Sequence, residues 1–549
     1  GTTIFNTNGG YIGIRDQNAF GLGAITIAGA GTNYIRNFAS GFNVSNSLII
    51  NNGSTLRIAT TNSGWKGTYS GVISGGGGII TRFTDTQIIA GTNNSFGGGI
   101  NIASGTKVQV ASLGTTGANS SLGTNGVITF SSDSGAGAAG ELYWLGANSE
   151  ASDKNFALTT VSSASGAGMK LYAGSSSSGG TNVTLTLNGN IISTGATNLT
   201  VTLGTYNSNS LVVNGTINQT AGYTNSLVVT NNDANGSVVL SGNNSYGGNT
   251  TINGGSLTLN GANTGAGTVI MKALCFLRLG HTNALINGTL AGASSSANTP
   301  TLNLTVAGNH TVAAYGNTVD QGWNMSFTNS SGSPATLTFT APTNYITVSS
   351  TTSGGRSLTN QSTNLTVIFN GAVDIGGTTN VDTTFAGPGN FTILGSLFNI
   401  NPTNSRALTK TGAGTLTLSA SNSYNGVTTI SAGTLVLNAA GALGTNNVTL
   451  SGTLRTTAAG TNESTGNLTV TGNSTIDLGT VNTGVLRFAT ATGWTAGRTL
   501  TITNSSGGAR LYILNTSGLD TTQIKSAENP TASASFASDG LLTFSVAKQ

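Results

Sequence analysis

The sequence predicts an all-β chain folded as a parallel β-helix, a β-solenoid with atypical terminal caps. Three observations predict it: a repeated motif, an alternating polar composition, and a length that no single sandwich accommodates. The motif occurs as Asn94-Ser95-Phe96-Gly97-Gly98, Asn244-Ser245-Tyr246-Gly247-Gly248 and Asn422-Ser423-Tyr424-Asn425-Gly426. Each copy runs into a β-branched stretch ending at Ile102, Ile252 or Ile430, then a glycine (Gly105, Gly255, Gly433) and a short strand. A strand–turn–strand unit that recurs within one chain buries its apolar side only against its neighbours.

Composition fits the same reading. The chain has 549 residues with 82 glycines, 6 prolines and 6% charged residues, against about 25% charge in a typical soluble domain. Alternation as in Thr184-Leu185-Thr186-Leu187 and Thr336-Leu337-Thr338-Phe339 argues for strands rather than disorder. Strand starts every 8–12 residues or so also suit an antiparallel sandwich, but one sandwich of this length is too large. A solenoid with about 20–25 residues per coil holds some two dozen coils. At ~4.8 Å per stacked strand it would be a rod on the order of 120 Å long. Stacked Asn and Thr side chains would form amide and hydroxyl ladders along it.

The copies are unevenly spaced, 150 residues from Asn94 to Asn244 and 178 from Asn244 to Asn422. A second element follows each: Ser121-Leu122-Gly123-Thr124-Asn125, Ala284-Leu285-Ile286-Asn287-Gly288 and Ala442-Leu443-Gly444-Thr445-Asn446. Residues 1–60 are expected to form an N-terminal cap or first coils with a possible assembly arm that includes Ile4-Phe5. Residues 61–505 would be solenoid repeats. Residues 506–549 would be a C-terminal cap, with a short helix introduced by Asp520-Thr521-Thr522-Gln523 and a last strand Leu541-Leu542-Thr543-Phe544. Open solenoid ends expose unpaired strand edges, so Tyr11, Ile12 and Ile14 at one end and Leu541, Leu542 and Phe544 at the other are the candidate assembly residues.

The net charge of +4 from 19 basic and 15 acidic residues, with no basic run, argues against nucleic acid as a partner. A near-neutral exterior favours self-association into polymer or matrix. No window approaches a membrane span. No signal peptide is visible at Gly1-Thr2-Thr3, as expected of a mature or trimmed chain. The lone Cys275 excludes an intramolecular disulfide and reads as a buried inert thiol.

The segment from Leu408-Thr409-Lys410-Thr411-Gly412 through Asn422-Ser423-Tyr424-Asn425-Gly426 to Gly433-Thr434-Leu435 closely resembles the autotransporter-associated β-strand repeat. Residues 236–259 keep its second half, and Tyr69 to Gly75 is similar to the segment that precedes the motif. The copy at 94–110 departs, with Lys107 and Gln109 in place of leucine-like residues, so its register is expected to shift. The resemblance implies a secreted bacterial surface protein with a right-handed β-helix. Before Lys548-Gln549 there is no run of barrel strands such as a translocator shows. Leu514 to Phe544 looks more like the tail of repeat proteins bearing a sorting signal.

Chemistry finds little support. β-Helix lyases and hydrolases need clustered ionisable groups; the densest cluster is Glu141, Glu150, Asp153 and Lys154, of which Glu150 to Lys154 reads as a solvated turn. His281 and His310 are isolated, and no metal or cofactor is expected. Gly75-Gly76-Gly77-Gly78 lacks the aspartates of a calcium repeat and the Lys-Ser/Thr of a phosphate loop. Trp65, Trp144, Trp323 and Trp494 are scattered and read as core or cap packing. Asn-X-Ser/Thr triplets such as Asn43-Val44-Ser45, Asn182-Val183-Thr184 and Asn198-Leu199-Thr200 are expected by chance in such a composition. The chain is therefore read as a structural protein that polymerises end to end, not an enzyme. The alternatives are a monomeric adhesin or passenger stalk binding host or matrix glycans and, last, a polysaccharide-degrading enzyme.

Overall fold

A computed structural model describes residues 1–4, 11–16, 18–62, 64–131, 138–159, 168–176, 179–195, 197–232, 235–265, 267–272, 274–292, 299–315, 324–340, 346–347, 356–375, 382–399, 403, 405–457, 462–480, 483–506 and 510–546. Phe5, Trp323 and Lys548-Gln549 lie outside the described residues. The chain divides into two compact units, Gly1–Asn287 and Gly288–Gln549. Each is a set of parallel ladders in which a strand pairs with its counterpart one coil earlier and one coil later, which makes the fold a parallel β-helix.

In the first unit one ladder runs from Ile12–Ile14 through Gly31–Asn37, Ser54–Thr60, Gly78–Thr81 and Ile100–Ala103 to Ile217–Asn218. A second begins at Phe42–Val44 and Lys66–Tyr69 and includes Lys107–Val110, Gly140–Trp144 and Thr250–Ile252. The third face is Thr2–Ile4, Ile25–Ile27, Leu48–Ile50 and Ile73–Ser74, and farther along Glu150–Ser152 through Phe276–Leu279. The second unit repeats the scheme with ladders that include Thr415–Leu418 and Thr434–Leu437, and Leu408–Lys410, Thr428–Ile430 and Val448–Leu450. Register steps are as short as 19 residues, Leu416 to Leu435, and as long as 35, Phe156 to Ile191. The variable part of each coil is thus its loops.

Alternation turns every second side chain inward. Leu257 stacks on Leu277 and Leu259 on Leu279, all buried, and the Phe339 and Phe369 rings stack at 5.2 Å. Outward positions form the expected ladders: Asn214 Nδ2 donates to Asn188 Oδ1 at 2.9 Å, and the Ser210 and Ser237 hydroxyls meet at 2.8 Å. Gly189, Gly215, Gly242 and Gly261 form one column. A Cβ on Gly215 would lie 2.0 Å from the Gly189 carbonyl oxygen, and on Gly242 2.3 Å from that of Gly215. Coils can approach this closely only where the side chain is a hydrogen.

The repeated motif is a corner that ties three coils together. Asn422 Oδ1 accepts from Leu397 N one coil earlier at 2.6 Å, and its Nδ2 donates to Ala442 O one coil later at 2.6 Å. Asn244 Oδ1 accepts from Ile217 N at 2.8 Å and its Nδ2 donates to Asn263 Oδ1 at 2.9 Å; Asn263 in turn donates to Ala284 O. Asn94 accepts from Ile73 N at 2.8 Å and donates to Ser121 O at 3.0 Å. The second repeated element is therefore the acceptor for this amide, directly at Ser121 and Ala442 and through Asn263 at Ala284. The aromatic two residues on is buried in each copy, and the tyrosines hydrogen-bond a threonine four residues later (Tyr246 with Thr250, Tyr424 with Thr428). In the first copy Val108 and Val110 turn inward where the others use Leu257 and Leu259 or Leu435 and Leu437. That is a one-residue shift after the glycine, and it points Lys107 outward.

Candidate functional site

The ends of the ladders are the places where main-chain groups lack a coil to pair with. At the N-terminal end, Thr2–Ile4, Ile12–Ile14 and Phe42–Val44 each pair on one side only among the described residues. Ile12 pairs with Ile35 and Ile14 with Asn37. Ile14 is buried in the core, Ile12 is half-buried, and Tyr11 is 48% exposed. Ile14 has its side chain in the core and its carbonyl taken by Phe38 N, whereas Tyr11 presents its side chain. The Tyr11 ring packs edge-on against Tyr34 at 5.8 Å and tilted against Phe38 at 5.7 Å.

The C-terminal end of the second unit is finished differently. Asp520 caps a short 3-10 turn, Thr521–Gln523, by accepting from Thr522 N. Gln523 does not reach back; its amide donates to Thr495 O and Arg498 O. Strand Leu542–Ser545 pairs antiparallel with Ser533–Phe536, the one antiparallel strand pairing described. Leu541 makes an antiparallel bridge to Tyr512 in the last strand of its ladder. The hairpin thus lies across that edge, where a further parallel coil would otherwise sit. Leu541, Leu542 and Phe544 are half-exposed and, with Leu478, Ile502 and Leu511, line a cavity of about 360 Å³. Tyr11, Ile12 and Ile14 lie in the first unit and Leu541, Leu542 and Phe544 in the second.

The acidic cluster is the expected solvated turn only at Asp153, which is exposed between two strands. Glu150–Ser152 is a strand, and Lys154 is fully buried. Glu150 accepts from Ser112 Oγ, Gly114 N and Trp144 Nε1 at 2.8, 2.6 and 2.6 Å. Asp153 accepts from Thr116 N at 2.6 Å, which holds its carboxyl below the ordinary range. Lys154 Nζ donates to the carbonyls of Gly123 and Asn125. Glu141 pairs with Lys170 at 2.8 Å and accepts from Tyr143. Each ionisable group ties one coil to another, Glu141 through the Lys170 side chain and Glu150, Asp153 and Lys154 through main-chain groups of the coil before.

His281 accepts from Asn283 N through Nδ1. His310 is buried in strand Gly308–Tyr315 with Nε2 at 2.9 Å from Val306 O. Cys275 is buried, and its thiol is pushed up to about 12 by desolvation. Trp144 is wholly buried, and Trp494 Nε1 donates to Leu468 O. Gly76, Gly77 and Gly78 floor a groove of about 540 Å³ with Gly98, Gly99 and Asn125, and no charged side chain lines it. Among the described residues no group of three or more His, Cys, Asp or Glu is placed to hold a metal, and no helix is long and apolar enough to cross a membrane.

Residues 235–259 and 408–437 match the passenger-associated-transport-repeat family, and both segments contain the asparagine–tyrosine corner described above. No curated protein and no solved structure matches the chain. The chain carries the passenger-associated-transport repeat, the autotransporter-associated repeat that its sequence resembles, within a parallel β-helix.

Proposed function

We propose that this chain is a secreted bacterial surface protein that assembles end to end into an extracellular filament or layer. The observation that carries the reading is the difference between the two ends. The first two coils leave three strands paired on one side only among the described residues, beside the exposed Tyr11. At the C-terminal end a hairpin presents Leu541, Leu542 and Phe544 around a cavity that Ser505, Ser506 and Arg510 also line. Two unlike surfaces make a heterologous contact, which propagates when it does not close into a ring. Main-chain strand addition supplies its hydrogen bonds and the cavity its side-chain fit. On this reading residues 1–60 form the assembly end, 61–505 the spacer and 506–549 the receiving cap. An autotransporter-type passenger or sorted surface protein would meet its partners outside the cell.

The carboxylates of the densest acidic cluster, already committed to coil-to-coil hydrogen bonds and an ion pair, argue against an enzyme. The test is electron microscopy of the purified chain beside a variant lacking residues 1–14, with circular dichroism confirming that the variant keeps its strands. Filaments from the full chain and single particles from the variant are expected. Filaments of equal length from both would refute the N-terminal edge. Single particles from the full chain would instead favour a monomeric adhesin stalk.

A further inference from the structure

The chain's positive charge is not spread evenly. Arg15, Arg36, Arg57, Lys66, Arg82 and Lys107 precede residue 111, with only Asp16 and Asp85 as acids. The rest of the chain carries thirteen residues of each sign, so the whole excess of +4 resides in these first coils. Asp85 is buried, and Asp16 accepts from Asn18 N at 2.7 Å.

Four of the arginines recur at intervals of 21, 21 and 25 residues, close to the 23-residue register step from Ile12 to Ile35. One arginine therefore falls on each of four successive coils. Asn33, Ile35 and Asn37 are buried inward, so alternation sets Tyr34, Arg36 and Phe38 on the outer face. Arg57 stands beside Tyr34 and Ala59 beside Arg36. Arg82 follows Thr81, the partner of Ile58, and so stands beyond the small Ala59.

The guanidiniums interleave with rings. Arg36 lies 5.2 Å from Tyr11, 5.7 Å from Phe38 and 5.1 Å from Phe83. Arg15 covers Phe38 at 5.4 Å, Arg82 covers Phe83 at 5.4 Å and Arg57 covers Tyr34 at 5.6 Å. Phe83 is 40% exposed with φ +71, a left-handed conformation uncommon for a bulky residue, and its ring is flanked by Arg36 and Arg82. Among the described residues Arg15, Arg36 and Arg57 have no carboxylate partner.

We propose that this outer face binds an acidic polysaccharide along the coil axis. Cation–π contacts hold the guanidiniums in place at small cost in solvation, and Arg15, Arg36 and Arg57, which have no carboxylate partner, offer guanidinium donors suited to a carboxylate or sulfate. Coils rise by ~4.8 Å and alternate coils by ~10 Å, spacings comparable to successive charged sugars of a polymer. Nucleic acid fits less well: single-strand binding relies on open aromatic faces for base stacking, and here the arginines occupy those faces. The patch stands on the outer side of a sheet, not on its end, so single chains and assembled chains both present it.

The test is binding of the full chain to polygalacturonate, dextran sulfate, neutral dextran, single-stranded DNA and duplex DNA at low and physiological ionic strength. Wild-type binding to the two acidic polysaccharides, weakened by salt, is expected. Arg15→Gln/Arg36→Gln/Arg82→Gln should lose roughly tenfold or more in affinity and flatten the salt dependence by about one unit of slope per arginine removed. Arg278→Gln/Arg487→Gln, which removes two arginines stacked singly on Phe276 and Tyr512, should bind as wild type. Arg36→Lys keeps the charge without the fork and should fall between, which guards against misfolding of the triple variant. Equal binding to neutral dextran, no binding to either acidic polysaccharide, equal loss in the control pair, or tighter binding to DNA would overturn the proposal.

Discussion

Replacing Asn422 by alanine tests whether the repeat motif is a structural tie. The side chain is nearly buried, at 8% exposure, and its removal strands two main-chain groups, the N–H of Leu397 and the carbonyl of Ala442. Each buried orphan costs about 1–3 kcal/mol, so the loss should be about 2–6 kcal/mol. Tyr424→Phe removes a single hydroxyl contact to Thr428 and should cost only about 0.5–1.5 kcal/mol. Asn422→Asp keeps an acceptor for Leu397 but turns an oxygen toward Ala442 O, beside Glu463, which accepts from Ala442 N and Leu443 N. Its folded carboxyl would titrate above the unfolded one, so the variant should be least unstable in acid and worsen as pH rises. Urea denaturation followed by circular dichroism gives the magnitudes. Amide exchange at Leu397 gives the location, because a coil contacts only its neighbours. An Asn422→Ala chain within about 0.5 kcal/mol of wild type, with Leu397 still protected, would refute the tie.

Burial raises Asp85 to about 6, while Thr60 N donates to its carboxylate. The native state then holds a proton that the unfolded chain has released, so stability should fall as pH rises from about 4 to 6. Asp85→Asn should flatten that limb of a thermal-melt profile. Lys410 Nζ donates to the carbonyls of Thr411, Gly412 and Ala432, and burial lowers it to about 8. The unfolded lysine keeps its proton to higher pH, so stability should rise between pH 8 and about 10.4, the ordinary lysine value; Lys410→Met should lack this rise in the same melts. Cys275, with its thiol pushed up to about 12, should react with a thiol reagent at neutral pH only after denaturation. Mass spectrometry of native and denatured samples reads this directly.

The parallel β-helix was legible because inward residues repeat at period two and the motif marks corresponding corners. The registry shift in the copy at 94–110 was legible too, from Lys107 and Gln109. What Asn94, Asn244 and Asn422 do was not: each bonds to a residue a whole coil away, a distance set by loops of variable length. The acidic cluster was misread in part, at Glu150 and Lys154, for the same reason. Glu150 and Lys154 look solvated in a local window, yet their partners Ser112, Trp144, Gly123 and Asn125 arrive from the same coil or the one before. The arginine face left a trace, the near-constant interval between Arg15, Arg36 and Arg57, but the rings beside them are adjacent only after winding.

Sequence alone therefore determined the backbone class, the low-charge exterior and the position of the repeats, since these depend on nearest-neighbour pattern. Tertiary structure decided which polar groups face inward, which edges end unpaired and where charge gathers. Those depend on coil length, and coil length brings residues some 19 to 35 positions apart into contact.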